Sequence, residues 1–165
     1  MNTDLRVERV PITHPDALRL VEEVQEEYVV RYGGRDDTPL DPAAFDPPTG
    51  AFFVGYLGTA PVATGAWRRR TDVEVFDTRV TAEIKRMYVV AAHRGEGLAR
   101  RMLAHLEVTA AQAGAEALVL ETGVAQPEAI ALYLSSGYTR IPSFGHYRYS
   151  PQNRCYARLL SVPTG

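Results

Sequence analysis

A single cysteine, a single tryptophan and a single lysine stand among the 165 residues of this chain. One cysteine excludes an internal disulfide framework and any cysteine-cluster zinc site. Long apolar runs are missing as well: the longest, such as Met87 to Ala92, fall far short of the ~20 residues a spanning helix needs. The first residues, Met1-Asn2-Thr3-Asp4-Leu5-Arg6, carry an acid and no hydrophobic stretch of the kind a secretory signal requires, so a cytoplasmic protein with no membrane partner is expected. Neither acidic nor basic residues are in large excess. Eighteen basic residues face 20 acidic ones for a net −2, which argues against a dedicated nucleic-acid binder. Within that balance, 17 of the 18 basic residues are Arg and only Lys85 is Lys. Arg suits bidentate recognition of phosphate and carboxylate, although a chain this rich in Ala, Gly and Pro owes most of its Arg to codon usage.

What is present organises into one domain over residues 1–165, long enough to bury roughly 70% of its unfolded surface. Leu5 to Val10 alternates as a first strand. Thr13 with Asp16 three residues on reads as a capping box, and Ala17, Val21, Val24 and Tyr28, with Leu18 and Leu20, form a helical stripe ending near Gly33-Gly34. Asp36 to Pro48 is polar and proline-rich, with room for a short helix capped by Asp41. Residues 51–57 and 61–67 form two strands joined at Gly58-Thr59, and Arg68 to Asp77 reads as a further hairpin connection. Thr81 to Val90 is a strand, Leu98 to Ala113 a helix stopped by Gly114, and residues 117–122 another strand. Pro127 to Ser136 is a short helix closed by Gly137, with Pro where a first turn tolerates it. Tyr138 to Ile141 and Cys155 to Leu160 end the chain as strands. This order gives a mixed α/β sheet with helices on its faces.

The segment richest in chemistry is Val89-Val90-Ala91-Ala92-His93-Arg94-Gly95-Glu96-Gly97-Leu98-Ala99-Arg100-Arg101. A strand enters a two-glycine turn that opens at once into a helix, and unpaired N–H groups with the helix dipole make such a turn an anion site. Arg94, Arg100 or Arg101 can add charge-assisted contacts. The turn lacks the Gly-Lys-Ser/Thr of a nucleoside-triphosphate loop. It also carries Arg100 where the dinucleotide fingerprint has its third glycine.

The remaining pattern, Arg94-x-x-Gly97-x-Ala99, resembles the acetyl-CoA pyrophosphate loop of the GNAT superfamily of N-acetyltransferases. Residues 82–89 (Ala-Glu-Ile-Lys-Arg-Met-Tyr-Val) resemble the family's fourth strand, and Leu98 to Ala113 its third helix. Residues 129–138 (Ala-Ile-Ala-Leu-Tyr-Leu-Ser-Ser-Gly-Tyr) resemble its helix before the sixth strand. The resemblance implies an α+β fold, a mostly antiparallel sheet splayed between strands 4 and 5 with helices on both faces. It further implies an acyltransferase that uses acetyl-CoA (coenzyme A). Backbone groups of Met87, Tyr88 and Val89 would bind the pantetheine, and amides of Gly95, Glu96, Gly97, Leu98, Ala99 and Arg100, beside Arg94, the pyrophosphate. Gln126, where many members carry Asn, and Ala129 complete the expected cofactor contacts. Homodimers through the C-terminal strands are common in the family.

Two roles follow for catalysis. Tyr133 matches the family's tyrosine that protonates the departing thiolate; a phenol with pKa near ~10 can do so against a thiol near ~8.5, mildly uphill. A lysine-like amine at pH 7 is almost wholly protonated, which costs roughly 4–5 kcal/mol of reactive free amine, so a base is needed. Glu83 stands where histone acetyltransferases and other members carry a catalytic glutamate. Strand alternation puts Glu83, Lys85, Met87 and Val89 on one face and Arg86 and Tyr88 on the other. Charges on a central strand are costly unless they are paired or lie in a cleft; a Glu83–Lys85 or Glu83–Arg86 ion pair is the competing role, and Glu121 and then His146 are the next base candidates. Cys155, among Tyr156, Ala157 and Leu159, reads as a buried strand residue. His14, His93 and His105 lack metal-ligand spacing, so no metal is expected.

By the same resemblance the acceptor enters between the first helical region, residues 28–37, and the loop 141–149. Arg31, Tyr32, Arg35, Glu121, His146 and Arg148 are the candidate contacts for a small-molecule amine bearing a carboxylate. A protein or peptide amine, or a non-catalytic acyl-CoA-binding module, is the alternative.

Overall fold

The computed structural model describes residues 4–161. Its strands are β1 (Arg6–Arg9), β2 (Gly50–Leu57), β3 (Ala60–Arg70), β4 (Thr81–Val89), β5 (Ala117–Gly123), β6 (Thr139–Ile141) and β7 (Asn153–Leu159). Its α-helices are α1 (Pro15–Tyr32), α2 (Leu98–Gln112) and α3 (Pro127–Ser135). The strands form one sheet in the order β1-β2-β3-β4-β5-β7-β6. All neighbours are antiparallel except β4 and β5, which run parallel. Among the described residues no helix is long and apolar enough to cross a membrane.

Helices cover both faces, each through its apolar stripe. Ala17 and Leu20 of α1 pack with Phe45, Phe52, Val54 and Ala66 on one side. Met102, Leu103 and Leu106 of α2, with Tyr133 of α3, pack with Phe53, Trp67, Ile84, Leu118 and Leu120 on the other. Leu18, inside the sequence stripe, is 54% exposed: it lies off the face that Ala17, Leu20 and Val24 present to the sheet.

Three local expectations need correction. Thr13 does not cap α1; the His14 side chain does, its Nδ1 accepting from the Asp16 amide at 3.1 Å. Pro15, already fixed at a helical φ, starts the helix one residue later than a Thr13 cap requires. Asp16 instead accepts the Tyr56 hydroxyl at 2.6 Å. Next, Arg68, Arg69 and Arg70 are not loop: they extend β3, paired with Glu83, Ala82 and Thr81.

The third correction is the alternation along β4. Ala66 pairs with Lys85 but Thr64 pairs with Tyr88, so two residues, Arg86 and Met87, oppose Gly65 alone. This is a β-bulge, and Arg86 takes φ +56° within it. The extra residue resets the faces. Lys85 shares the α1 face with its partner Ala66, while Met87 and Val89 pack on the α2 side.

The expected short helix is present as one 3-10 turn, Pro42–Phe45, with the Asp41 carboxylate accepting from the Ala43 amide at 3.0 Å. It carries the buried Phe45 against Phe52. Asp41→Ala is expected to cost about 1 kcal/mol, a fall in Tm of about 2–4 °C for a chain of this length. An unchanged melting curve would mean that proline and packing alone hold the turn.

Candidate functional site

The sheet opens in its middle. β4 and β5 pair only over Thr81–Glu83 with Ala117–Val119, and from Ile84 onward the edge of β4 that faces β5 has no strand partner. A cavity of about 360 Å³ fills the gap, lined by Ile84 to Val89, by Leu120 to Thr122, by the turn around Gly95 and Gly97, and by Gln126, Ala129 and Tyr133 of the α3 region.

At one end of this cleft Gly95 and Gly97 take φ of +82° and +81°, and a Cβ on either would meet nothing within 4 Å. Positive φ needs glycine there, and the backbone so bent opens α2. Among the described residues none of the amides from Gly95 to Arg100 donates a hydrogen bond; the first helical bond runs from Arg101 N to Gly97 O. An unfilled row of donors at the positive end of a 15-residue helix is built for an anion. The two neighbouring arginines are already employed. Arg94 pairs with Glu27 at 2.7 Å and donates to Val89 O, while Arg100 donates to the Ser135 and Ser136 hydroxyls. Their main contribution here is to hold the turn in place; the amides carry the recognition.

Tyr133 enters the cleft from α3. Its ring is buried edge-on against Tyr138, and its hydroxyl makes no hydrogen bond among the described residues. Burial, with the Tyr28 phenol across the cleft, raises its pKa well above the usual tyrosine value. Tyr28 reaches the same space from α1 on the opposite face, itself raised to about 12 by burial and by the Asp36 charge. Both phenols therefore stay protonated at neutral pH.

A second cavity of about 320 Å³ adjoins the first and shares with it Tyr28, Asp36, Lys85, Glu121, Thr122 and Gln126. The loop joining β6 to β7 closes it: Tyr147 shares its one hydroxyl proton between Asp36 Oδ1 at 2.9 Å and Asp37 Oδ1 at 2.7 Å, and His146 Nε2 lies 2.9 Å from Asp37 Oδ1. Burial alone would raise the Asp36 carboxyl. Donors from Thr38 and the charges of Lys85 and Arg86 outweigh that and bring it below the ordinary value.

Glu121 stands at the seam between the two cavities. Desolvation raises its carboxyl above the usual glutamate range, against the opposing effects of Lys85 and of a 2.8 Å hydrogen bond from Asn153. The loop passes directly over it at Gly145, where a Cβ would sit 2.7 Å from Oε2 and where the φ of +87° favours glycine.

The other residues expected at the site fall in different places. Glu83 is 1% exposed and lines neither cavity; Arg68 and Arg70 approach its Oε1 at 3.0 and 2.8 Å, and Lys85 its Oε2 at 3.6 Å. Tyr32 and Arg35 line the second cavity, with Arg35 clamped on Glu22 at 2.7 and 2.8 Å and the Tyr32 hydroxyl accepting from Gln126. Arg31, His146 and Arg148 line neither cavity. Arg31 is bound to Glu128 and to Ala125 O, and Arg148 lies over Tyr149. Cys155 is buried outside both, its thiol pushed up by burial. Sequence reasoning named neither Asn153, nor Asp36 as a specific contact, nor the bulge. Its one available signal was the crowding of Glu83, Lys85 and Arg86 on a single strand.

These features agree with what the chain is similar to. A curated relative named IAA acetyltransferase, from Azospirillum brasilense, is 45% identical over 69 residues. That match covers 42% of this chain and spans 45% of the relative's length. Among solved structures, a putative acyl-CoA N-acyltransferase from Klebsiella pneumoniae superposes with a TM-score of 0.78 at 25% identity, covering 97% of this chain and 100% of that one. A GNAT family acetyltransferase from Elizabethkingia anophelis, solved with acetyl-CoA bound, shares the fold at a TM-score of 0.66 and 13% identity, covering 96% of this chain and 100% of that one. A family model described as the acetyltransferase (GNAT) family matches residues 17–138. With its split sheet, its open amide turn and a family match across more than half its length, the chain belongs to the acetyltransferase (GNAT) family.

Proposed function

We propose that the protein transfers an acetyl group from acetyl-CoA to the primary amine of a small, carboxylate-bearing molecule, by direct attack with both substrates bound. The observation that carries this reading is the pair of adjoining cavities with Glu121 at their seam and Tyr133 in the wall of the first. Two binding spaces that meet let both reactants be held together, the condition under which orientation replaces chance encounter. The only cysteine lies outside both cavities, which favours direct attack over transfer through an enzyme thiol.

The residues present fit an acyl-CoA. The free amides of Gly95 to Arg100 suit a pyrophosphate, and the unpaired edge of β4 around Met87, Tyr88 and Val89 suits the amide groups of a pantetheine arm. Gln126 and Ala129 line the opposite wall. When bound, the cofactor supplies a thioester-activated acetyl group. Backbone donors on the open β4 edge would stabilise the negative charge that develops when such a thioester is attacked. Tyr133 Oη holds the proton that a departing thiolate needs. Glu121 rather than Glu83 takes the role of base, because its carboxylate lines both cavities whereas that of Glu83 is consumed by two arginines and Lys85. With its carboxyl raised by burial, Glu121 is, once ionised, a stronger base than an exposed glutamate.

A small acceptor is favoured by the loop tied across the second cavity through Tyr147 and His146, which leaves little room for a chain-like substrate. The name of the partial relative, IAA acetyltransferase, supports acetyl as the group moved. The test is an amine panel of small molecules and peptides, read as thiol release from acetyl-CoA. Turnover with small carboxylated amines supports the reading. Turnover confined to peptide amines, or tight acetyl-CoA binding without turnover, rejects it.

The turn itself gives a separate prediction. Gly97→Ala forces a side chain onto a left-handed backbone that faces open space, and is expected to weaken acetyl-CoA binding about tenfold by calorimetry, an equilibrium effect of about 1.4 kcal/mol. Unchanged affinity would remove the pyrophosphate from this turn.

A further inference from the structure

Arg86 is the residue of the site whose state is least explained by packing. Its side chain is 7% exposed, it lines the first cavity, and its Nε and Nη1 are buried without any hydrogen-bond partner. Buried guanidinium donors are normally satisfied, and leaving them empty is costly enough that each such case calls for a reason. The backbone adds a second oddity: Arg86 holds φ +56° in the β4 bulge, a conformation that a non-glycine residue keeps only when its surroundings impose it.

The nearest anion is Asp36, and the fit is incomplete. Arg86 Nη1 lies 3.7 Å from Asp36 Oδ2, within reach of charge attraction but beyond hydrogen-bond distance. All the donors recorded on the Asp36 carboxylate, from Thr38 and Tyr147, go to Oδ1. Oδ2 and the guanidinium thus face each other, opposite in charge and both lacking hydrogen bonds.

The other cations around the two cavities already have partners. Lys85 Nζ lies 3.6 Å from Glu83 Oε2, and Arg68 and Arg70 hold Glu83 Oε1. Arg31 is held by Glu128 and Arg35 by Glu22.

We infer that Arg86 and Asp36 form a zwitterion slot, with Arg86 binding the carboxylate of the acceptor and Asp36 Oδ2 its ammonium, so that the acceptor is an amino acid. This rests on the amine-acetyltransferase reading and deepens it. Arg86, on the β4 bulge, lines the first cavity, whereas Asp36 and Glu121 line both, so an amine next to a carboxylate held on Arg86 lies in the space that Glu121 also lines and gives its proton to Glu121 before attack. A guanidinium is suited to the task because its planar fork matches a carboxylate in two bonds.

The experiment has two arms. In the first, the common L-amino acids are assayed against their own carboxamides with wild type, Arg86→Gln and Arg86→Lys. Wild type is expected to prefer the acid in kcat/KM by about 10- to 100-fold, the range of hydrogen bonds to a charged group. Arg86→Gln is expected to erase that preference while the KM for acetyl-CoA stays put, and Arg86→Lys to restore part of it. Equal rates for acid and amide in wild type, or a preference that survives in Arg86→Gln, overturns the slot. In the second arm, butyrate and butyramide are titrated in the presence of CoA with the melting temperature as readout, so no turnover is needed. Butyrate alone is expected to stabilise wild type, and neither compound Arg86→Gln. If no amine is acetylated but butyrate still protects only wild type, the anion site stands and the proposed reaction falls. If butyrate protects neither protein, the site falls whatever the activity.

Discussion

Tyr133→Phe lowers kcat about 100-fold or more, the usual scale for a general acid, and leaves acetyl-CoA affinity and melting temperature unchanged. The three parts of that expectation have separate causes. The ring packs in the core of the α2 side, edge-on to Tyr138, and phenylalanine keeps that packing. The hydroxyl makes no hydrogen bond among the described residues, so its loss strands no partner. Only the proton it carries disappears, and burial holds that proton firmly enough for it to be present at every ordinary assay pH. Stopped-flow thiol release and a thermal melt check the split. Full turnover in the variant would reassign the leaving-group proton to water, and a large fall in Tm would show that the hydroxyl serves packing.

Glu121→Gln is expected to reduce kcat/KM by a similar or larger factor, about 100- to 10,000-fold, and at the same time to stabilise the protein at neutral pH. The sign follows from linkage. The folded-state pKa of Glu121 is raised above its unfolded value, so its favourable contribution is complete below the unfolded pKa, when the group is protonated. That contribution is lost as pH rises through the folded pKa. At pH 7, above the unfolded pKa, burying this carboxyl is therefore a net burden on the fold, and glutamine removes that burden while still able to accept from Asn153. In activity the order reverses, because a base works only when deprotonated. The acid limb of the wild-type kcat/KM profile should lie above the ordinary carboxylate range and should flatten in the variant. Should the limb persist unchanged in Glu121→Gln, another group accepts the amine proton.

Most strands and helices could be read from the chain because their signals are local. Gly33 and Gly114 stop helices, Asp41 caps a turn, and the alternation of residues 51–67 gives a hairpin. The anion turn was equally legible, since two glycines between a strand and a helix leave few geometries open. The bulge was not. Nothing in residues 84–88 departs from a strand pattern; the extra residue shows only when Gly65, Thr64 and Ala66 on the neighbouring strand are set against it. Counting alternate positions therefore placed Met87 on the face of Lys85. The role of Glu83 was legible in part: the Glu83–Lys85 pair stood as its competing role and is present, but its partners Arg68 and Arg70 read as a loop, whereas β3 continues far enough to bring both to it. The choice among acceptor arginines depended on which were already paired, and Glu22, Glu128 and Asp36 decide that from distant parts of the chain.

The narrow join between β4 and β5 also has a mechanical meaning. Three rungs of pairing are all that connect the β1–β4 half of the sheet directly to the β5–β7–β6 half. A ligand that bonds to the free edge of β4 while touching β5 and α3 acts as a missing strand and stitches the halves together. Its binding energy becomes cohesion of the fold, so resistance to unfolding rises with the ratio of cofactor concentration to Kd. In the cell, the thermal endurance of such a protein would follow the supply of acyl-CoA, and starvation for it would loosen the molecule along the line where it works.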